Sequence, residues 1–126
     1  MSLETEILED PGQGKRIISL IGSLDTDTAP QLEAKVDETI DNSVKIVIID
    51  MRRLEFISSA GLRVIFKTKK FVDSHGGKFM LLNLQPQVRK VFEIIKALDG
   101  MNVFTSEEEM DEYLAAMQQQ VLDEQG

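Results

Sequence analysis

The run Val44-Lys45-Ile46-Val47-Ile48-Ile49-Asp50 constrains the fold more than any other part of the chain. Side chains of a strand point alternately to its two faces, so neighbouring Ile and Val residues need cover on both sides. A run of this kind fits a central strand sandwiched between layers. Strand-like and helix-like segments alternate around it. Thr5 to Leu8 reads as a first strand, ended by the turn Asp10-Pro11-Gly12-Gln13-Gly14. Lys15 to Ile21 reads as a second, ending at Gly22, with Ser23-Leu24-Asp25-Thr26-Asp27 as a loop. Leu32, Val36 and Ile40 predict a helix over about Thr28 to Ile40, with Pro30 early, where a missing N–H costs nothing.

After the central strand, Met51 to Glu55 read as a short link, and Phe56-Ile57 lead to Ser58-Ser59-Ala60-Gly61. A second helix turns Leu62, Ile65, Phe66 and Val72 inward. Gly76-Gly77 returns the chain to a strand over Lys78 to Leu84. Pro86 starts a third helix with Val88, Val91, Phe92, Ile95 and Leu98 on one stripe, stopped by Asp99-Gly100. Met101 to Phe104 is a last short strand. Ser106 and Glu109 form a capping box before a fourth helix, whose stripe is Met110, Tyr113, Leu114, Met117 and Val121. These elements predict an α/β domain with a mostly parallel or mixed central sheet of four to five strands and about four helices. One domain is expected over residues 1–126, with its core in about 5–117 and a frayed end over 118–126.

Composition removes several functions. The 126 residues include 14 Lys and Arg against 22 Asp and Glu, a net charge of −8, which makes a poor general nucleic-acid binder. Arg63, Lys67, Lys69 and Lys70 read as a solvated helix face. The acidic excess suits a basic protein surface. No apolar run reaches the ~18 residues of a membrane span, and the N-terminus has neither the basic nor the apolar region of a secretory signal. With no cysteine, there are no disulfides, thiolate metal sites or cysteine nucleophiles, which fits a cytoplasmic protein. The single histidine, His75, reads as a solvated helix-end residue in a Gly-rich turn. Phosphate-binding glycine loops and metalloprotease or nucleophile-elbow motifs are missing, so no cofactor or metal is expected.

The informative stretch is Phe56-Ile57-Ser58-Ser59-Ala60-Gly61-Leu62. A strand delivers two hydroxyls to the start of a helix. Ser58 is a natural N-cap, whose oxygen accepts from an amide one turn on. Ser59 then lies in the first turn, where the macrodipole favours an added phosphate by roughly 0.3–1 kcal/mol per charge. Ala60 and Gly61 leave room for another protein's active site. Taken alone, such a string is most often an ordinary cap. A serine nucleophile at Ser59 has no histidine nearby in sequence to activate it.

The order of pieces resembles the STAS domain, the family of bacterial anti-sigma factor antagonists. These pieces are Gly22-Ser23-Leu24-Asp25, Ile49-Asp50-Met51, Leu54 to Leu62, Gly76-Gly77-Lys78, Leu81 to Leu84, and Pro86 to Phe92, spread over about Ile7 to Tyr113. The resemblance implies a STAS-like single domain that is not an enzyme but a partner-switching regulator. Unphosphorylated, it would bind an anti-sigma factor that is itself a serine kinase of the histidine-kinase ATPase type, and so release that factor's client. Phosphorylation would separate the two, and a PP2C-type phosphatase would restore the serine. The family's phosphorylated position falls on Ser59, with Ser58 as second choice, and its acidic loop residue falls on Asp25. The implied partner surface is Leu24, Asp25, Thr26, Ser58, Ser59, Ala60, Gly61 and Arg63. Ser58 stands where the best-known antagonists have Asp. The alternative is a STAS scaffold in a signalling complex that is never phosphorylated. Neither nucleic acid nor membrane is expected as a partner.

Overall fold

The computed structural model describes residues 2–10, 12, 14–94 and 101–125, with residues 117–125 described by backbone alone. The elements in chain order are β1 (Leu3–Asp10), β2 (Lys15–Leu24), α1 (Ala29–Thr39), β3 (Ile46–Ile57), α2 (Ser59–Ser74), β4 (Lys78–Leu82), α3 (Pro86–Ile94), β5 (Asn102–Phe104) and α4 (Glu107–Gln125). The strands form one sheet in the order β1-β2-β3-β4-β5. β1 runs antiparallel to β2, and the other neighbours are parallel. The mixed sheet of five strands and the four helices match the expected architecture.

The apolar run is covered on both faces, as its pattern demands. Val47 and Ile49 of β3 join the main core with Leu32 of α1, Leu62 and Ile65 of α2, and Val88 and Phe92 of α3. Ile48 points the other way, into a smaller cluster with Met80, Leu82, Phe104 and Met110, flanked by Tyr113 and Leu114 of α4. Three helices therefore pack on one face and α4 on the other. Each fully buried Ile, Leu or Phe contributes about 1.5–3 kcal/mol relative to exposure. Among the described residues, no helix is long and apolar enough to cross a membrane.

Four strands depart from the expected limits. β1 begins at Leu3, which is buried, and continues to Asp10. β2 does not stop at Gly22. That residue has φ +105, sits at a register shift, and lies so close to the Ser2 carbonyl that a Cβ would approach it to 2.4 Å. The strand passes through this irregularity to Leu24, so Ser23 and Leu24 are strand and not loop.

β3 continues through Met51–Glu55, the segment read as a link. Met51, Leu54 and Ile57 are buried there, and pairing with β2 runs on to Ile57. β4 ends at Leu82, opposite Asp50, two residues short of the predicted limit. The far edge of β3 thus loses its neighbouring strand. Side-chain amides take over, with Gln85 Nε2 donating to the Arg52 carbonyl at 2.7 Å and Gln87 Nε2 to the Glu55 carbonyl at 3.3 Å.

Of the predicted α3 stripe, Val88 and Phe92 are buried, while Ile95, Leu98 and the stop at Asp99-Gly100 lie outside the described residues, as do Pro11 and Gln13 of the first turn. The helix of α4 extends to Gln125, through residues expected to fray. Met117 and Val121 are among the positions known by backbone alone. The capping box is rearranged. Ser106 Oγ accepts from the Glu109 amide at 3.2 Å, but the Glu109 carboxylate takes the amide and hydroxyl of Thr105, one residue early.

Candidate functional site

The carboxyl ends of β2 and β3 lie side by side, with Leu24 paired to Ile57. The two strands therefore deliver the β2–α1 loop and the start of α2 to the same rim of the sheet. Ser58 leaves β3 in an extended conformation (φ −98, ψ 172), and its Oγ accepts from the Gly61 amide at 3.2 Å. This is the predicted cap. The Leu62 amide donates to the Ser58 carbonyl at 2.9 Å, so the first turn is closed from one residue.

A backbone bond joins the two segments. The Ser58 amide donates to the Leu24 carbonyl at 2.9 Å. Gly61 makes their contact tight, because a Cβ there would lie 2.6 Å from Leu24 Cγ and 2.9 Å from the Leu24 carbonyl oxygen. Leu24 and Gly61 are buried, so both act as the floor of the rim and not as its surface. Ser59, the first residue of α2, is exposed. Ala60 is half-buried and Arg63, one turn on, is exposed.

The β2–α1 loop is tied around Thr28, which is buried. Its Oγ1 donates to the Ser23 carbonyl at 2.8 Å and accepts from the Asp25 amide at 2.8 Å. The hydroxyl is thereby spent in the loop, and Thr28 gives α1 no side-chain cap. The Asp25 Oδ1 accepts from the Thr28 amide at 3.0 Å, from the Asp27 amide at 2.9 Å, and lies 3.2 Å from the Thr28 hydroxyl. The Thr28 amide bond is the main reason the Asp25 carboxyl is held below its ordinary range. Desolvation pulls the other way, and the Thr28 hydroxyl and Asp27 amide add to the lowering. Asp25 is thus a fixed anion that shapes the loop, while Thr26 and Asp27 are its exposed tip.

Beside Ser59 a groove of about 270 Å³ separates the two helices, lined by Thr26, Ala29, Pro30 and Glu33 on one side and Ala60, Arg63 and Val64 on the other. The structure therefore brings together all eight residues expected at the partner surface, with Leu24 and Gly61 beneath it. Phe56 lies outside the partner surface expected from sequence, where it reads only as the strand leading to the cap. Three residues before Ser59, it is 46% exposed at the end of β3. Alternation in an apolar strand predicts burial for it. Only the irregular pairing at Gly22/Ser23, opposite Leu54 and Phe56, releases it to solvent.

His75 is not the solvated helix end its turn suggested. Nε2 lies 2.7 Å from the Val44 carbonyl, and its ring meets Phe71 edge-on at 5.1 Å. It fastens the end of α2 to the segment entering β3. Lys67 and Lys69 are paired with Glu33 and Asp73. Among the described residues, no three His, Asp or Glu side chains gather as a metal-binding group.

The STAS domain family matches residues 3–110 of the chain. A Bordetella bronchiseptica protein, BtrV, which bears the name of an anti-sigma factor antagonist, is 38% identical over 99 residues, 79% of this chain and 85% of BtrV. The structure of the anti-sigma factor antagonist SpoIIAA in its unphosphorylated form aligns with TM-score 0.67 and 26% identity, over 90% of this chain and 98% of that one. SpoIIAA of Bacillus in its phosphorylated form aligns with TM-score 0.65 and 27% identity, over 89% and 99%. By its matched residues and its architecture, the chain belongs to the STAS domain family.

Proposed function

We propose that this chain is an anti-sigma factor antagonist whose contact with its partner is switched by phosphorylation of Ser59. The observation that carries the reading is the exposed Ser59 at the first position of α2, on a rim where the β2–α1 loop is bonded to the helix start. A hydroxyl there is open to a visiting kinase and lies inside the surface a partner would cover. The names of the relatives and the existence of SpoIIAA in two phosphorylation states support the same reading.

In this reading the unphosphorylated protein binds an anti-sigma factor, itself a serine kinase of the histidine-kinase ATPase type, and frees its client. The kinase transfers the γ-phosphoryl group of ATP. A bond forms between Ser59 Oγ and phosphorus, the bond to the ADP oxygen breaks, and the hydroxyl proton is lost. A PP2C-type phosphatase hydrolyses the ester. The chain performs no catalysis of its own and acts in the cytoplasm.

The energetics suffice for a switch. A phosphate covered at the contact with no counter-charge supplied by the other protein costs up to roughly 3–5 kcal/mol. At about 1.4 kcal/mol per decade, this weakens binding by about two to four decades. Asp25 and Asp27, on the adjoining loop, leave that phosphate no compensation from their side.

The test is phosphorylation by the cognate kinase of wild type, Ser58→Ala, Ser59→Ala and Ser59→Asp, with binding measured in parallel. Incorporation is expected in wild type and Ser58→Ala only, and Ser59→Asp should bind weakly. Incorporation into Ser59→Ala equal to wild type removes Ser59 from the role. Intact mass of the protein from its own cells, with no phosphate under any condition, would favour the scaffold instead.

A further inference from the structure

We infer that Arg63 is the intramolecular counter-ion of a phosphate on Ser59, an inference that rests on Ser59 being the phosphoacceptor. The two residues stand at positions i and i+4 of α2, one turn apart on the same helical face, and both are exposed. The acid precedes the base, which is the favourable order along a helix. A guanidinium offers a planar fork of N–H donors that matches two phosphate oxygens at once.

The surroundings leave Arg63 available. It has no ion-pair partner among the described residues. Across the groove that it lines, the Glu33 carboxylate is engaged by Lys67 at 3.6 Å. The Asp25 carboxylate is turned into its own loop by the amides of Asp27 and Thr28. Two helix-start amides are already committed, that of Gly61 to Ser58 Oγ and that of Leu62 to the Ser58 carbonyl. A phosphate on Ser59 therefore meets in Arg63 an unengaged cation within one turn, and the open groove beside Ala60 gives the guanidinium room to swing.

Phosphorylation then alters the rim twice over. It adds a dianion and withdraws the cation that the unphosphorylated surface presents. A partner carrying an acidic group opposite Arg63 loses its counterpart and gains a repulsion in the same event.

The experiment uses the full chain with phosphoserine placed at position 59 during synthesis, so that no kinase is needed. Phosphorus NMR follows the second ionisation of the phosphate, near pH 6 in a free phosphoserine. The midpoint in the wild-type background is expected about half a unit or more below that in Arg63→Gln, with Arg63→Lys between them. High salt should shrink the difference. Coincident curves for wild type and Arg63→Gln overturn the pairing, as does a wild-type midpoint that salt does not move should Arg63→Gln fail to fold. A displaced curve in a protein that its own cells never phosphorylate would refute the acceptor role of Ser59 while leaving the pairing intact.

Discussion

The Ser58 amide donates to the Leu24 carbonyl at 2.9 Å, so the residue that caps α2 is held by the last residue of β2. The closeness of that junction depends on Gly61, where a side chain would press on Leu24 at 2.6 Å. Gly61→Ala sets two effects against each other. Alanine favours the helix by about 1 kcal/mol, whereas overpacking a buried contact costs about 1–3 kcal/mol. The clash with the Leu24 carbonyl oxygen at 2.9 Å involves backbone and is the harder to relax. The variant should unfold at lower urea and bind its partner more weakly, because the loop must shift. A higher urea midpoint would show that the contact yields freely.

Ser58 separates stability from signalling. Ser58→Ala removes the oxygen that receives the Gly61 amide and should cost about 1 kcal/mol. Ser58→Asp restores an acceptor and adds a charge that the helix start favours, so its stability should return to within a few tenths of a kcal/mol of wild type. Chemical denaturation of the three proteins checks both statements. Equal midpoints for Ser58→Ala and wild type would remove the cap from the account.

Acid should loosen the loop. The Asp25 carboxyl is held low chiefly by the Thr28 amide, and the Asp41 carboxyl by the Ser43 hydroxyl and amide. A carboxyl with a depressed native pKa binds fewer protons folded than unfolded. Its stabilisation is present above the unfolded value of about 3.9 and is lost as pH falls through the native value. Urea unfolding followed from neutral pH into the acid should therefore show falling stability below about pH 4, less steep in Asp25→Asn and in Asp41→Asn. Proton NMR of the wild type should place the Asp25 midpoint below that of a model peptide. An ordinary midpoint would remove the charged loop anchor.

Much of this architecture could be read from the chain because local and tertiary demands agree. Five β-branched residues over Val44–Ile49 have no stable home except between two layers, and Ile48 and Ile49 do face opposite clusters. Ser58 was legible as a cap because its oxygen acts on its own helix. The limits of β2 and β3 were not. Gly22 and the charged Arg52-Arg53 pair resemble strand ends, but the long register between β2 and β3 carries pairing past both. Asp25 and Ser59 could each be singled out in sequence, yet nothing local tells that Leu24 bonds Ser58 or that Thr28 spends its hydroxyl in the loop. Such contacts join residues dozens of positions apart, or replace a cap by a turn, and only the assembled sheet selects them.

Phe56 is the residue most able to separate partner binding from folding. It is 46% exposed and precedes the cap by two positions, on the strand end that carries Ser58 and Ser59. Its exposure is a cost to the free protein, since a large aromatic left half in water forgoes part of its burial energy. Exposed aromatics at a functional rim are favoured anchors, because they bring large contact area at low entropic cost. Phe56→Ala should change the unfolding free energy little, by about 1 kcal/mol or less, since the residue is 46% exposed. It should weaken binding to the anti-sigma factor at least tenfold, about 1.4 kcal/mol or more. Leu8, 65% exposed on β1, supplies the control, and Leu8→Ala should leave binding unchanged. Calorimetric titration of both variants with the partner reads the difference. Equal affinities for Phe56→Ala and wild type would confine the contact to the loop and the start of α2.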